Sequence, residues 1–501
     1  MSQIPILIPT TLLLTALVSL LAGLRSRKAG YGVAVAGAGI VFALALVGVR
    51  FVITSGEAIR YAAGSWAPPI GIELVLDHLS AYLAVLITFI GLLVLVYTPR
   101  SLRFEAPGKE VFAYPAMVLL LAGLTGMVLT GDVFNLYVFL EISALAAYAL
   151  LAIGERGAPI AAFRYLLMGA VGGGFYLLGV GMLYFAAGTL NMADLHARLP
   201  ELVESRAVIS AAVLMVTGLG LKMALFPLHF WLPDVYANAP SSVAGLIAPI
   251  MTKVSAYAII RIFLDVFPPG FFTESVPLTA TVGWFSAGGI IFGSVMAIAQ
   301  QDYRRMLAYS SVGQVAYVGL GIGLANPIGL IGGLLHILNH ALMKCLLFLV
   351  GGAVRLRTGV VQIPDMKGLG RSMPWTMGAF TVGALAMVGI PPAAGFFSKW
   401  YLLLGTIEAG NWWWFGIVVL SSLLSAVYFF RVLEIIYRDP TSDPAEADGN
   451  PAAAVVHPEG EPPPTMLGPI LVLAVAILVA GVLNVLIVNA LLERAVAPLG
   501  G

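Results

Sequence analysis

"GLGLKMALFPLHFWLPD", residues 218–234, sets Lys222 in an otherwise apolar run and follows it with Pro227, His229 and Pro233. Such a charge is ordinary on a soluble helix and costly in lipid, so its surroundings decide its meaning. The chain has 501 residues, 60% hydrophobic and 10% charged, with a mean hydropathy of +0.98. Soluble domains carry about a quarter charged residues. Apolar stretches of 18 or more residues recur along the whole length, which favours membrane-spanning helices over barrel strands, whose hydrophobicity would alternate over about ten residues. The fold class is therefore an all-α membrane protein.

Fourteen spans are expected, near residues 3–23, 31–53, 73–98, 111–130, 132–153, 161–187, 207–228, 240–263, 277–299, 305–324, 328–353, 374–402, 412–436 and 466–492. The first span lacks a basic segment ahead of it, and Arg25, Arg27 and Lys28 follow it, the pattern of a retained helix rather than a cleaved signal. With the N-terminus outside, fourteen Lys and Arg fall in loops assigned inside and four (Arg60, Arg198, Arg206 and Arg494) in loops assigned outside. The bias predicts both termini outside and an even number of spans. Residues 438–465 are rich in Pro and acidic residues and read as a flexible inside loop before the last span.

The net charge of +1 supplies no basic stripe to displace phosphate counterions, so a nucleic-acid partner is not expected. Cys345 is the only cysteine, which rules out disulfides, CxxC zinc ligation and thiolate-held clusters built from this chain alone. It reads as a small packed side chain. "GAVGGGF", residues 169–175, lies within a span with no strand before it, so it predicts close helix packing through small residues rather than a phosphate cradle.

Eight basic residues fall within spans. Arg50, Arg164, Arg261 and Arg431 lie near span ends, where a long stem can carry its charge to the interface. Lys222, Lys253, Lys344 and Lys399 lie deeper, each costing about 2.5 to 3.5 kcal/mol at mid-bilayer. Glu141, in "NLYVFLEISALAAYALLA", is the one carboxylate well inside a span; Asp77 and Glu434 are near helix ends. One acid cannot neutralise four amines. Burial penalises the ammonium form, and a carboxylate about 4 Å away restores about 4 kcal/mol at an effective dielectric near 20. A lysine balanced in this way exchanges protons when its partner moves.

In "LHILNHALMKCLLFL", His336, His340 and Lys344 fall at i, i+4 and i+8 on one helical face, with Asn339 beside them. Histidine titrates near neutrality, so the stripe suits proton transfer. Metal binding is the weaker reading, because no carboxylate or cysteine accompanies the histidines. Pro227 and Pro233 after Lys222, and Pro391 and Pro392 in "GIPPAAGFFSKW" before Lys399, interrupt two spans whose lysines stand 177 residues apart. Paired broken helices predict two structural repeats, because unwound backbone at depth must line a wet cavity. The alternative at Pro227 is a plain helix end.

"TGDVFNLYVFLE", "LKMALFPLHFWLPD", "APIMTKVSAYAIIR", "QQDYRRMLAYSSVGQ", "HILNHALMKCLLFL" and "GIPPAAGFFSKW", in that order, resemble the antiporter-like subunits shared by respiratory complex I, membrane-bound hydrogenases and Mrp-type Na+/H+ antiporters. The resemblance covers roughly residues 70–435, and the first two motifs with "TKVSAYAIIR" look most like the D-type subunit of the Mrp antiporter. "PDVY" at 233–236 and Lys399 also suit the N-type subunit of complex I, whereas the histidines of span eleven count against it. The chain ends soon after span fourteen, and so is expected to differ from the largest relatives, which carry a long C-terminal extension.

The resemblance implies two inverted five-helix repeats with helices 7 and 12 broken: an N-terminal three-helix segment 1–110, a first repeat 111–263, a second repeat 277–437, the loop 438–465 and a C-terminal helix 466–501. It also implies that Glu141 and Lys222 form the acid and lysine of a first half-channel, with Lys253 connecting. His340 and Lys344, with His336 one turn earlier, form the relay, and Lys399 ends the second half-channel. The expected function is a multi-pass proton-translocating subunit of a multisubunit Na+/H+ antiporter in the cell inner or plasma membrane. Its partners would be other membrane subunits, protons, Na+ and the lipid bilayer, with no cofactor and no metal. The alternative is a proton-pumping subunit of a complex I-like oxidoreductase or membrane-bound hydrogenase.

Overall fold

The computed structural model describes residues 1–154, 157–439 and 460–497. Most of the acidic, Pro-rich loop expected at 438–465 lies outside them. In chain order the helices are α1 (Ile4–Arg25), α2 (Arg27–Ser55), α3 (His78–Glu105), α4 (Glu110–Leu129), α5 (Val133–Ala152), α6 (Ala158–Ala187), α7 (Met192–Arg198), α8 (Arg206–Met223) and α9 (Leu232–Asn238). They continue as α10 (Ser241–Arg261), α11 (Leu278–Ile298), α12 (Tyr303–Leu324), α13 (Pro327–Thr358), α14 (Leu369–Ser372), α15 (Pro374–Val388), α16 (Ala394–Glu408), α17 (Trp412–Tyr437) and α18 (Pro464–Val482). Thirteen helices among the described residues are long and apolar enough to cross a membrane. The expected twelfth span is instead two shorter helices, α15 and α16, of which α15 is apolar.

Several spans start at side-chain caps that satisfy the free N–H groups of a first turn. Asp77 and Ser80 form a capping box on α3, with Ser80 N donating to Asp77 Oδ1 at 2.8 Å and Asp77 N donating to Ser80 Oγ at 2.7 Å. Asp132, Asp302 and Asn326 cap α5, α12 and α13 by each accepting the backbone N–H three residues on. α3 starts five residues later than expected and continues through Pro99, because Glu73–Leu76 is strand β2, antiparallel to strand β1 (Ile59–Ala62).

The molecule is built around α10, α12 and α13. The apolar window of α10 is 100% buried and those of α12 and α13 are 94% buried, against 33% for α2. Tryptophans exposed near helix ends, Trp375 at the start of α15 and Trp412 and Trp413 at the start of α17, sit where aromatic rings favour the membrane interface. The end of α3 ties the interior together. The buried Glu105 carboxylate accepts from the Ser241 backbone N–H at 2.7 Å, from Ser101 at 2.9 Å and from Arg355 at 2.7 Å, with Arg304 at 3.8 Å. One side chain thereby joins α3, α10, α12 and α13.

Both proline-rich segments break their helices. α8 stops at Met223, where Ala224 adopts φ +62° and its N–H closes the helix on the Gly220 and Leu221 carbonyls. A non-glycine residue in this conformation costs about 1 to 3 kcal/mol. Pro227 lies in the break, whereas Pro233 lies in the first turn of α9, where a missing N–H costs nothing. α15 stops at Val388 and α16 begins at Ala394, with Gly389 at φ +93° and Pro391 and Pro392 between them.

Candidate functional site

Lys222 is the penultimate residue of α8, just before the first break, and only 3% of its side chain is exposed. Its Nζ lies 3.5 Å from Glu141 Oε1 of α5, donates to Tyr148 Oη at 3.4 Å and sits 5.9 Å from the Tyr148 ring centroid. The Glu141 side chain is 27% exposed, so the carboxylate stands at the margin of the protein interior while its amine stands within. Gly173 of α6 faces the carboxylate, and a Cβ there would collide with Glu141 Oε1. The glycine run at 169–175 thus packs helices closely, as its composition predicts, and also gives the acid its room.

Lys253, Lys344, His336 and His340 are almost wholly buried on α10 and α13. Lys253 Nζ donates to Ala248 O at 2.6 Å and approaches Thr252 Oγ1 at 3.3 Å. Lys344 Nζ donates to Leu307 O at 2.8 Å and Ser310 Oγ at 2.7 Å, both on α12. His336 Nδ1 pairs with Ser398 Oγ at 2.9 Å, and its ring lies 5.6 Å from that of His340 at 21°. Lys253 lies within electrostatic reach of His336, His340 and Lys344, so these four do gather. The i, i+4, i+8 row is not a continuous hydrogen-bonded line, however. Among the described residues His340 has no hydrogen bond at either ring nitrogen, and Lys344 turns toward α12.

Lys399 of α16 reaches back across the second break. Its Nζ donates to Met387 O and Val388 O, each at 3.0 Å, and lies 5.4 Å from the Tyr317 ring centroid. These carbonyls end α15, where a helix terminus carries about half a negative charge. Gly389 is required twice, by its positive φ and because a Cβ would stand 3.2 Å from Lys399 Cδ. The two terminal lysines therefore differ: one faces a carboxylate, the other faces main-chain oxygens.

No hydrogen bond among the described residues joins Lys222 directly to Lys253. Between them runs an aromatic series in which Tyr148 meets Tyr165 edge-on at 4.8 Å, Tyr165 stacks on Trp231 at 4.2 Å, and Trp231 meets Tyr236 at 6.4 Å. Sequence reasoning missed Tyr148, Ser310, Tyr317 and Ser398, since single hydroxyls in a membrane helix carry no distinguishing pattern. The buried His229, stacked on Phe226 and Phe230 in the first break, belongs to the stretch 218–234, whose pattern gave it no role.

Two of the arginines near span ends, Arg261 and Arg431, find partners inside the protein. Arg261 is 12% exposed at its side chain and pairs with Asp77 at 2.5 Å and Asp265 at 2.6 Å, while Arg431 donates to Ile298 O and Gln300 O. Snorkelling to headgroups is therefore wrong for Arg261; two loop carboxylates hold it. Arg261, Asp77, Asp265 and Glu73 line a cavity of about 350 Å³ beside the β1–β2 hairpin. Burial alone would raise the Asp77 carboxyl, but the Arg261 charge and the Ser80 hydrogen bonds outweigh it and hold it below the usual carboxylate range.

Residues 130–425 match the family model described as NADH:quinone oxidoreductase/Mrp antiporter, TM. The chain is 47% identical over 504 residues to the N-type subunit of NADH-quinone oxidoreductase from Desulforudis audaxviator, covering 99% of this chain and 98% of the relative. It is 32% identical over 372 residues to the D-type subunit of the Na(+)/H(+) antiporter from Alkalihalophilus pseudofirmus, covering 74% of each. A chain in the structure of the Mrp complex from Dietzia sp. DQ12-45-1b superposes with a TM-score of 0.87 at 26% identity, over 99% of this chain and 97% of that one. A chain of the membrane-bound sulfane sulfur reductase, an archaeal respiratory membrane complex, does so with a TM-score of 0.89 at 31% identity, over 99% and 98%. A multi-pass helical bundle with two broken helices and lysines at both breaks thus belongs, by sequence and by shape, to the NADH:quinone oxidoreductase/Mrp antiporter transmembrane family.

Proposed function

We propose that this chain is the proton-translocating subunit of a multisubunit cation/H+ antiporter, a transporter subunit rather than an enzyme. Protons move along Glu141, Lys222, Lys253, His336, His340, Lys344 and Lys399. The observation that carries this reading is the Lys222–Glu141 pair, 3.5 Å apart with the amine buried and the acid at the margin. When the carboxylate swings away, the ammonium loses about 4 kcal/mol of stabilisation at an effective dielectric near 20 and passes its proton on. Re-pairing recharges it.

In this reading residues 111–263 and 277–437 are two inverted repeats, each with one broken helix, flanked by segments 1–110 and 466–501. Both termini lie outside, and Na+ crosses elsewhere in the complex. Exchange in vesicles carrying Glu141→Ala, Lys222→Ala and Lys399→Ala tests it, with each variant expected to lose nearly all Na+-dependent proton movement while the complex still assembles. Full exchange by any of them refutes the proton line.

The second reading, a proton-pumping subunit of a redox-driven complex, is favoured by the 47% identity to an N-type oxidoreductase subunit over nearly the whole chain. Purification of the native complex separates the two: small membrane subunits alone support the antiporter, whereas flavin or iron–sulfur proteins support the oxidoreductase.

A further inference from the structure

Along α17, Ser421, Ser425 and Tyr428 fall at i, i+4 and i+7 on one face, all buried against the interior. A serine hydroxyl in an apolar helix ordinarily donates to the carbonyl one turn back. Ser422 does so to Val418 O at 3.1 Å, and Ser294 to Ile290 O at 2.8 Å. Ser310 and Ser425 make no such bond among the described residues. Each accepts instead, Ser310 Oγ from the Lys344 ammonium at 2.7 Å and Ser425 Oγ from the Tyr428 hydroxyl at 3.3 Å. Both keep a proton to donate onward.

One end of this line meets Lys344 directly, and the other comes near Lys399. Ser310 lies beside the Tyr428 hydroxyl, and Ser421 and Ser422 lie beside the Tyr317 hydroxyl, which is fully buried and makes no hydrogen bond of ordinary geometry among the described residues. The Tyr317 ring lies under the Lys399 amine. Ser421 Oγ rests 3.1 Å from Ser294 Oγ; rotated away from it, Ser421 is one helical turn from Ser425, a spacing that one water bridges. The histidine row between the same two lysines is interrupted at His340, whose ring nitrogens make no hydrogen bond among the described residues.

We propose that the hydroxyl face of α17 is a second proton path from Lys344 to Lys399, running beside the histidine pair. The path rests on the reading of these lysines as proton carriers. Lys344 gives a proton to the Ser310 oxygen as Ser310 passes its own to Tyr428. The same exchange repeats through Ser425, the bridging water, Ser421 and Tyr317, and through water from the Tyr317 hydroxyl to the Lys399 amine. Every O–H bond broken is replaced by one formed on the same oxygen, so Lys344 alone loses a charge and Lys399 alone gains one.

The test uses the assembled complex in vesicles, with Ser425→Thr, Ser425→Val and Tyr428→Phe made alone and together with His336→Gln and His340→Gln. Thr and Val add nearly the same bulk, and only Thr keeps the hydroxyl. Ser425→Val and Tyr428→Phe are expected to cut exchange about twofold alone, the loss of one of two parallel routes, and to abolish it in the histidine-substituted background. Ser425→Thr is expected to retain exchange in both. Equal exchange by the Thr and Val variants, or undiminished exchange by Tyr428→Phe in the histidine-substituted background, overturns the path. Lys399→Ala in the same assay separates the failures: if it keeps full exchange the whole proton line falls, whereas if it alone is inactive only the α17 path falls. Should Ser425→Val not assemble, Tyr428→Phe, which removes one oxygen, decides.

Discussion

Gly173 is informative because of what it lacks. Replacing it with Ala should stabilise α6 by up to about 1 kcal/mol through helix propensity. The added methyl would strike Glu141 Oε1 and displace the acid from Lys222. Gly173→Ala is therefore expected to lower exchange at least about tenfold while leaving the thermal midpoint of the complex unchanged or raised. A variant with normal exchange would show that the pair needs no such close fit. At this scale the four lysines and Glu141 were legible in the sequence, because a charge among apolar residues costs energy that demands a reason. Their partners were not. Ser310 and Tyr148 resemble any other hydroxyl until the fold brings them to an amine, and Lys399 is paired with two carbonyls that every sequence contains.

The helices themselves were readable from hydropathy, and the two breaks from their prolines. What the pattern concealed was the β1–β2 hairpin, whose four-residue strands are too short to leave a period, and the start of α3, fixed by the Asp77 cap rather than by hydrophobicity. Equally hidden was Glu105, which at a helix end looks like a solvated charge and is instead 4% exposed and shared among four helices. Glu105→Ala leaves Arg355 and Arg304 without this shared carboxylate and the start of α10 uncapped, so it should cost about 3 to 5 kcal/mol. Glu105→Gln, which keeps one acceptor oxygen for Ser241, should cost less. Thermal unfolding of the solubilised complex measures both, and an Ala variant as stable as the parent would contradict the clamp.

Over the whole molecule, composition gave the membrane and charge bias along the loops is the basis of the proposed orientation, but membership of an antiporter or a redox complex depends on neighbours the chain does not encode. One bulk property is simple to check. Cys345 is fully buried on α13, so the folded protein should take up no maleimide and the denatured protein one equivalent. Labelling of the folded chain would mean that α13 is not sealed in the interior. A different consequence follows from the amine of Lys399 lying against Met387 O and Val388 O. Substitution of side chains can delete a carboxylate but never a peptide oxygen. A survey of the acidic residues among those described would therefore expose the counter-ion of the first lysine and find none for the last, where Lys399 itself, the Tyr317 ring against it and the bend at Gly389 offer genetics a handle.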